Sequence, residues 1–464
     1  MATRPKAGFY FNQAGEVFRT GARLPGGQGL RSAAILSAAD NVEGLTILNV
    51  LRHFPTPTLR IDLPTGLAIA SEARDAFNQS NLALAAVEQI SLQAAIEMFP
   101  DGTSAAELND LLTRPGQFRS RRFAMRLKSS SKPVDIYLPR AQTAFLGDRD
   151  GAEMGPGALG YPVVVISHGL GSDRKSYAYL ADFLARRGFV AITVEHPGSS
   201  AEQLNAFVAG RASQIPDEEF IQRPVLISQV LNDLENRALS DDKLAGINFN
   251  NVAVIGQSFG GYTALALAGA SINSTSLQQT CPPSFSVNIS LLLQCQAIAL
   301  PPAQTSQPFK DPRIKAVIAI NPVTSVIFGS QSMAQIDVPV LLMAGSADTI
   351  APALPEQILP FTWLSQGQGT RVTFPDGSIA TPEENRYLLI MEGGTHFSTI
   401  GVTGSETFGL PVEIIGPSPD VAQYYTQVMS LAFLNIYLKG DSRYRPILSS
   451  AFTTRLSQPQ MPLV

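Results

Sequence analysis

The spacing of apolar positions changes character along the chain. Residues 1–30 are Gly-rich and without periodicity, which predicts a weakly ordered arm. From Leu30 to Phe54, Ile35, Leu36, Leu45, Ile47, Leu48 and Leu51 recur at helical intervals, with a break between Asn41 and Gly44. Pro55 and Pro57 end that pattern. Leu59 to Leu63 alternates like a short strand, and Leu84, Val87, Ile90, Ile96 and Phe99 predict an amphipathic helix up to Pro100. Residues 1–115 are therefore expected to form a mainly helical accessory region.

Beyond Pro115 the period shortens. Phe123–Leu127 and Val134–Leu138 alternate around a serine-rich turn and predict a β-hairpin. Continuous apolar runs follow at Val163–Ile166, Phe189–Val194, Val252–Ile255, Ile314–Ile320, Val338–Met343 and Tyr387–Met391. Helical patterns separate them at Ser176–Arg187, Pro224–Leu239, Phe259–Ala270 and Ala422–Leu438. Short apolar runs alternating with helices predict an α/β fold, a doubly wound and mostly parallel sheet covered on both faces, over residues 116–464. Ligands of such sheets lie beyond the carboxyl ends of the strands.

Composition narrows the function classes. Hydrophobic residues make up 45% of the 464 positions and charged residues 16%, with a mean hydropathy of +0.09. That supports a large core and excludes a charge-driven disordered scaffold. Thirty-four basic against 38 acidic residues, without a basic run, exclude a nucleic-acid footprint. No apolar stretch reaches a transmembrane length, and residues 1–30 lack the pattern of a signal peptide. Cys281 and Cys295 are the only cysteines; too few for a structural zinc site, they fit either a local disulfide or two buried thiols. A disulfide would imply an oxidising compartment, and a cytoplasmic location is the alternative.

The sharpest chemical signal is Gly256-Gln257-Ser258-Phe259-Gly260-Gly261, directly after one apolar run and opening a helix. Strand, G-x-S-x-G and helix form the context of a nucleophile elbow, in which Gly256 and Gly260 clear space around Ser258 and Gly261 lets the helix approach the sheet. A serine hydroxyl needs a base, and the base an orienting carboxylate. His396 follows the last apolar run and Asp348 the preceding one, giving the order Ser, Asp, His at the correct strand ends. The oxyanion donors are expected to be the amides of Phe259 and, from the Gly-rich segment Ser167–Ser172, Leu170. His168 and His196 are expected to support the site from behind. No cofactor and no metal are implied.

With these residues in place, Phe118 to Lys439 resembles the α/β-hydrolase superfamily. Ser167–Ser172, Val194-Glu195-His196 and the Ser258 segment resemble the platelet-activating-factor acetylhydrolase and dienelactone hydrolase group. That likeness implies Ser258 as nucleophile and the Leu170 and Phe259 amides as oxyanion hole. It fails at the acid, which that group carries where this chain has Asn321. Ala347 to Pro352 instead resembles the acid segment of bacterial cutinases and polyester hydrolases. Arg31 through Leu63 resembles cyanobacterial α/β-hydrolases with an uncharacterised N-terminal domain, which are usually exported; that likeness includes the Cys281–Cys295 region and favours a disulfide.

The expected activity is that of a serine carboxylic-ester hydrolase working through an acyl-enzyme on short- to medium-chain or aromatic esters. A polyester hydrolase and a phospholipid acetylhydrolase are variants of the same chemistry. An acyltransferase would differ by excluding water, and an inactive scaffold binding a lipid or protein is the non-enzymatic alternative. The segment of about 271–311, with Phe285, Val287, Ile289 and Leu291–Leu293, is expected to act as a lid, and 201–223 to add walls. The sequence leaves the oligomeric state open.

Overall fold

Eight strands, in the order Arg386–Met391, Val340–Gly345, Ile314–Ile320, Ile247–Gln257, Tyr161–Ser167, Val190–Val194, Val134–Ala141 and Phe118–Met125, form the main sheet of the protein, seen in a computed structural model. The structure describes residues 15–22, 24–38, 46–97, 105–114, 116–141, 160–208, 211–212, 215–281, 286, 288–364, 372–373, 379–380, 383–401 and 415–464.

The N-terminal part holds more order than its glycines suggest. β1 (Phe18–Thr20) pairs antiparallel with β2 (Leu59–Ile61), and α1 (Gly27–Ala38) begins inside the stretch expected to be an arm. Residues 1–14 and the expected break at 41–44 lie outside the described residues. α2 (Ile47–Arg52) follows, capped by Thr46. α3 (Leu63–Glu97) starts about twenty residues before the expected helix. Asp62 caps it through Thr65 N–H, Pro64 suits its first turn, and Ala68, Ala70, Ala73 and Ala76 carry it by propensity rather than by an apolar stripe. α4 (Ala105–Thr113) sends Leu108 and Leu112 into a core beneath the sheet.

β3 (Phe118–Met125) and β4 (Val134–Ala141) form the expected hairpin, with Met125 opposite Val134. β5 (Tyr161–Ser167), α5 (Ala178–Ala185), β6 (Val190–Val194), α6 (Ala201–Val208), α7 (Glu219–Ala238), β7 (Ile247–Gln257) and α8 (Phe259–Leu267) build the centre. Continuous apolar runs suit these strands because both faces are covered. Val163 and Val165 enter the core under α7 and α8, while Val164 and Ile166 enter the opposite core with Leu180 and Phe189. The 201–223 segment is partly helical, not a plain loop.

The insertion after α8 contains α9 (Ser274–Thr280), α10 (Ile289–Gln294) and α11 (Pro302–Thr305), stapled by a Cys281–Cys295 disulfide. Closing a loop of this size contributes about 3 kcal/mol in the chain-entropy model. Leu277, Leu293, Leu300 and Phe309 are buried in the main core. Phe285 and Val287, expected in the lid, lie outside the described residues. β8 (Ile314–Ile320), α12 (Ser325–Met333), β9 (Val340–Gly345) and α13 (Leu359–Leu364) complete the far half, followed by the short ribbon of β10 (Val372–Thr373) and β11 (Ile379–Ala380).

β12 (Arg386–Met391) is the edge strand, and α14 (Pro419–Lys439) and α15 (Ser450–Leu456) finish the chain. Val464 exchanges backbone hydrogen bonds with Ile390, so the last residues protect that edge. Among the described residues no helix is long and apolar enough to cross a membrane.

Candidate active site

Six parallel strands end on one edge, and the residues that follow them meet there. Ser258 sits between β7 and α8 with φ 56° and ψ −118°, a backbone state that a side-chain-bearing residue rarely adopts. Its N–H donates to Ile320 O at 2.8 Å and its carbonyl accepts from Tyr262 N–H at 3.1 Å, so neighbouring elements hold the strained turn. A Cβ on Gly256 would run into Gly260 O, one on Gly260 into Ser167 O, and one on Gly261 into Pro322. Only glycine lets strand, turn and helix come this close.

His396, in the loop after β12, places Nε2 2.8 Å from Ser258 Oγ and Nδ1 2.6 Å from Asp348 Oδ2. All three residues are buried. With the hydroxyl donating to Nε2, the neutral ring carries its proton on Nδ1 and donates it to the carboxylate. The other oxygen of Asp348 accepts the N–H groups of Ile350 and Ala351, both at 2.8 Å, which fixes the carboxylate plane. The structure thus brings together Ser258, Asp348 and His396, which lie 48 to 138 positions apart in sequence.

The Gly-rich segment after β5 abuts the serine: a Cβ on Gly169 would stand 3.1 Å from Ser258 Cβ. Gly169 O accepts from His168 Nδ1 at 2.7 Å, and His168 O accepts from Arg223. In a trans peptide N–H and C=O point oppositely, so locking Gly169 O outward turns the Leu170 N–H the other way. Neither the Leu170 nor the Phe259 N–H has a hydrogen-bond partner among the described residues.

His168 and His196 lie behind this loop. His168 Nε2 accepts the His196 N–H at 3.0 Å while Nδ1 faces a carbonyl, which can only accept; the ring is therefore neutral with its proton on Nδ1. Burial first, and then the Arg223 charge, push its pKa down to about 3. Burial and Arg223 also hold His196, whose Nε2 lies 2.9 Å from Ser167 Oγ, well below the usual range.

A depressed histidine pKa gives stability that is complete above about pH 6.5 and is lost as pH falls toward the folded value. Between about pH 6.5 and 3, His168 alone adds a slope approaching 1.4 kcal/mol per pH unit. His168→Gln should flatten the pH dependence of denaturant-unfolding free energy over that window by about one proton. An unchanged slope would show that His168 is charged in the fold.

The roles of four residues went unread in the sequence. Arg223 is fully buried and donates to Ser199 Oγ at 2.6 Å and Thr263 Oγ1 at 3.1 Å, with its guanidinium 4.6 Å from the Phe259 ring centre. Desolvation lowers its pKa to about 10, which leaves it charged at neutral pH. Glu219, one turn earlier on α7, accepts from Ser199, and this i,i+4 pair was the readable signal. Asn321, at φ 43°, accepts the Gly345 N–H at 2.9 Å and donates to Thr395 O at 3.2 Å, so it ties the aspartate loop to the histidine loop. Gln257 holds the latter from the other side by donating to His396 O at 3.0 Å.

The insertion is fastened to the same region. Ser290 N–H donates to Ile350 O at 2.8 Å, and buried Glu356 accepts from Asn288, Gln294 and Ser325. An apolar cavity of about 360 Å³ lies elsewhere, between α3 and β12, lined by Val87, Ile90, Leu389 and Met429; Ser258, Asp348 and His396 do not line it.

Two families match parts of the chain. The one described as "Alpha/beta hydrolase of unknown function" matches residues 2–62, and "Platelet-activating factor acetylhydrolase, isoform II" matches residues 146–240. The second match spans the His168 and His196 segments and Arg223 but stops before Ser258. Together with the eight-stranded sheet, these matches are consistent with an α/β-hydrolase superfamily member related to the platelet-activating factor acetylhydrolases. Both descriptions name a hydrolase, which supports a hydrolase or esterase.

Proposed function

We propose that the protein is a serine carboxylic-ester hydrolase in which Ser258 is the nucleophile, His396 the general base and acid, and Asp348 the residue that orients it. His396 Nε2 takes the Ser258 proton as Oγ attacks the ester carbonyl carbon, and the carbonyl π-electrons move onto oxygen. The Leu170 and Phe259 N–H groups stabilise that oxyanion. Collapse expels the alcohol, protonated by His396, and leaves an acyl-serine. Water, deprotonated by His396, attacks next; the acid leaves and Ser258 recovers its proton.

The observation that carries this reading is the unbroken chain of 2.8 Å and 2.6 Å hydrogen bonds from Ser258 to Asp348 at the carboxyl edge of the sheet. The Leu170 and Phe259 N–H groups, without a hydrogen-bond partner among the described residues, add to it. Within residues 116–464 as catalytic body and 1–115 as accessory region, the 271–311 insertion is assigned as a wall of the acyl pocket. Its disulfide suits an oxidising compartment and supports export.

Short- to medium-chain and aromatic esters are the proposed substrates. The family match over residues 146–240 favours an acetylated phospholipid as the second reading. Initial rates on nitrophenyl esters from acetate to dodecanoate, on an acetylated phospholipid and on a polyester film, with Ser258→Ala as the blank, test both. The expected result is turnover that peaks among the shorter acyl chains. Turnover confined to the phospholipid would favour the second reading, and none above the blank would remove both.

A further inference from the structure

α3 is 35 residues long, and only one of its faces rests on the body, through Ala83, Leu84 and Val87. A neighbouring flank, roughly 110° round the helix from that face, exposes large apolar groups: Phe77 is 65% exposed, Leu67 61% and Leu92 51%, with Leu82, Ile90 and Ile96 exposed outside it. Phe77, Leu67 and Leu92 belong to a line formed by positions 67, 70, 74, 77, 81, 85, 88, 92 and 95, whose steps of three and four follow a straight helix for roughly 40 Å.

The line is symmetric about Asn81, in chemistry as well as in spacing. Laid antiparallel on itself about that point, each large side chain meets a small one: Phe77 the partner's Ala85, Leu92 the partner's Ala70, Leu67 the partner's Ala95. Arg74 meets the partner's Glu88, twice by symmetry, and Asn81 meets the partner's Asn81. Large-into-small pairing lets two helices approach to about 8–10 Å. We propose that the chain forms a two-fold homodimer through antiparallel packing of α3 on α3 of a second copy, centred on Asn81.

Two further features fit this occupant. Glu88 stands near Glu392, whose carboxyl is raised above its ordinary pKa first by burial and then by Glu88. The partner's Arg74 would arrive beside that repelling pair. Arg74 itself makes only exposed contacts, to Asp75 at 3.4 Å and Ser71 at 3.3 Å, which cost little to exchange. A lipid surface fits less well: Arg74, Asn81 and Glu88 interrupt the apolar line, and α3 carries four acidic side chains against one arginine.

Sedimentation velocity of the full chain over a concentration series tests the proposal. A dimer is expected, and Phe77→Glu should render it monomeric. Arg74→Glu and Glu88→Arg should each weaken the dimer by roughly tenfold, and their combination should restore it, because both ion pairs are then re-formed in reverse. The described cysteines are bonded to each other. Asn81→Cys should therefore give a disulfide-linked dimer on mild oxidation, whereas Gln89→Cys, far from its own mirror position, should not. A monomer at every concentration, a dimer indifferent to the charge reversals, or a monomer that instead co-sediments with phosphatidylcholine vesicles would overturn the proposal.

Discussion

Ser258→Ala is expected to abolish covalent capture of a fluorophosphonate and to lower ester turnover by about 10⁴-fold or more. The probe mimics the tetrahedral state, so it reports an activated hydroxyl together with formed oxyanion donors. Ser258 Oγ is hydrogen-bonded to His396, and the proposed oxyanion donors are the Leu170 and Phe259 amides, which is what such a probe requires. Peptide mass spectrometry should find one adduct, on Ser258. A companion variant separates chemistry from folding. The residue holds φ at 56°, and glycine adopts that conformation without the strain of a Cβ. Ser258→Gly should thus be equally inactive yet more stable than wild type, by about 1 kcal/mol, in denaturant unfolding. Loss of labelling accompanied by loss of stability in both variants would point to a structural serine. No adduct on folded wild-type protein would favour the binding-scaffold reading.

Much of the sheet was legible because buried parallel strands need continuous apolar runs, and each of the six runs became a strand. Ser258, Asp348 and His396 were legible for a related reason: function in this architecture sits at strand ends, and few histidines compete for the role. α3 was foreshortened because its first half is carried by alanine propensity and an Asp62 cap, which produce no apolar period. β1 escaped notice because three residues give too short a pattern. The bracing roles of Arg223 and Asn321 were invisible for a deeper reason. Their partners are Ser199, Thr263 and the His168 carbonyl in one case, and Gly345 N–H and Thr395 O in the other. Backbone groups and common hydroxyls carry no sequence signature, so only the fold reveals that these side chains brace the site.

Asp348→Asn is expected to lower kcat by about 10⁴-fold with little effect on stability. Ile350 and Ala351 N–H groups hold one carboxylate oxygen, so the amide oxygen of the variant would stay there and its NH₂ would face His396 Nδ1. That NH₂ can only donate. The ring must then carry its proton on Nε2, the atom that has to accept from Ser258. The site would keep its shape and lose its base. Adding Asn321→Asp places a carboxylate where the acetylhydrolases carry their acid, and the geometry argues that this rescues nothing. Asn321 already donates to Thr395 O at 3.2 Å, in the loop that presents His396. An oxygen there would oppose that carbonyl, lose the bond and cost about 1–3 kcal/mol. The double variant should therefore be as inactive as Asp348→Asn and less stable, read by steady-state kinetics and denaturant unfolding. Recovery by tenfold or more would mean that position 321 can reach His396, and that the acid can stand after either strand in this fold.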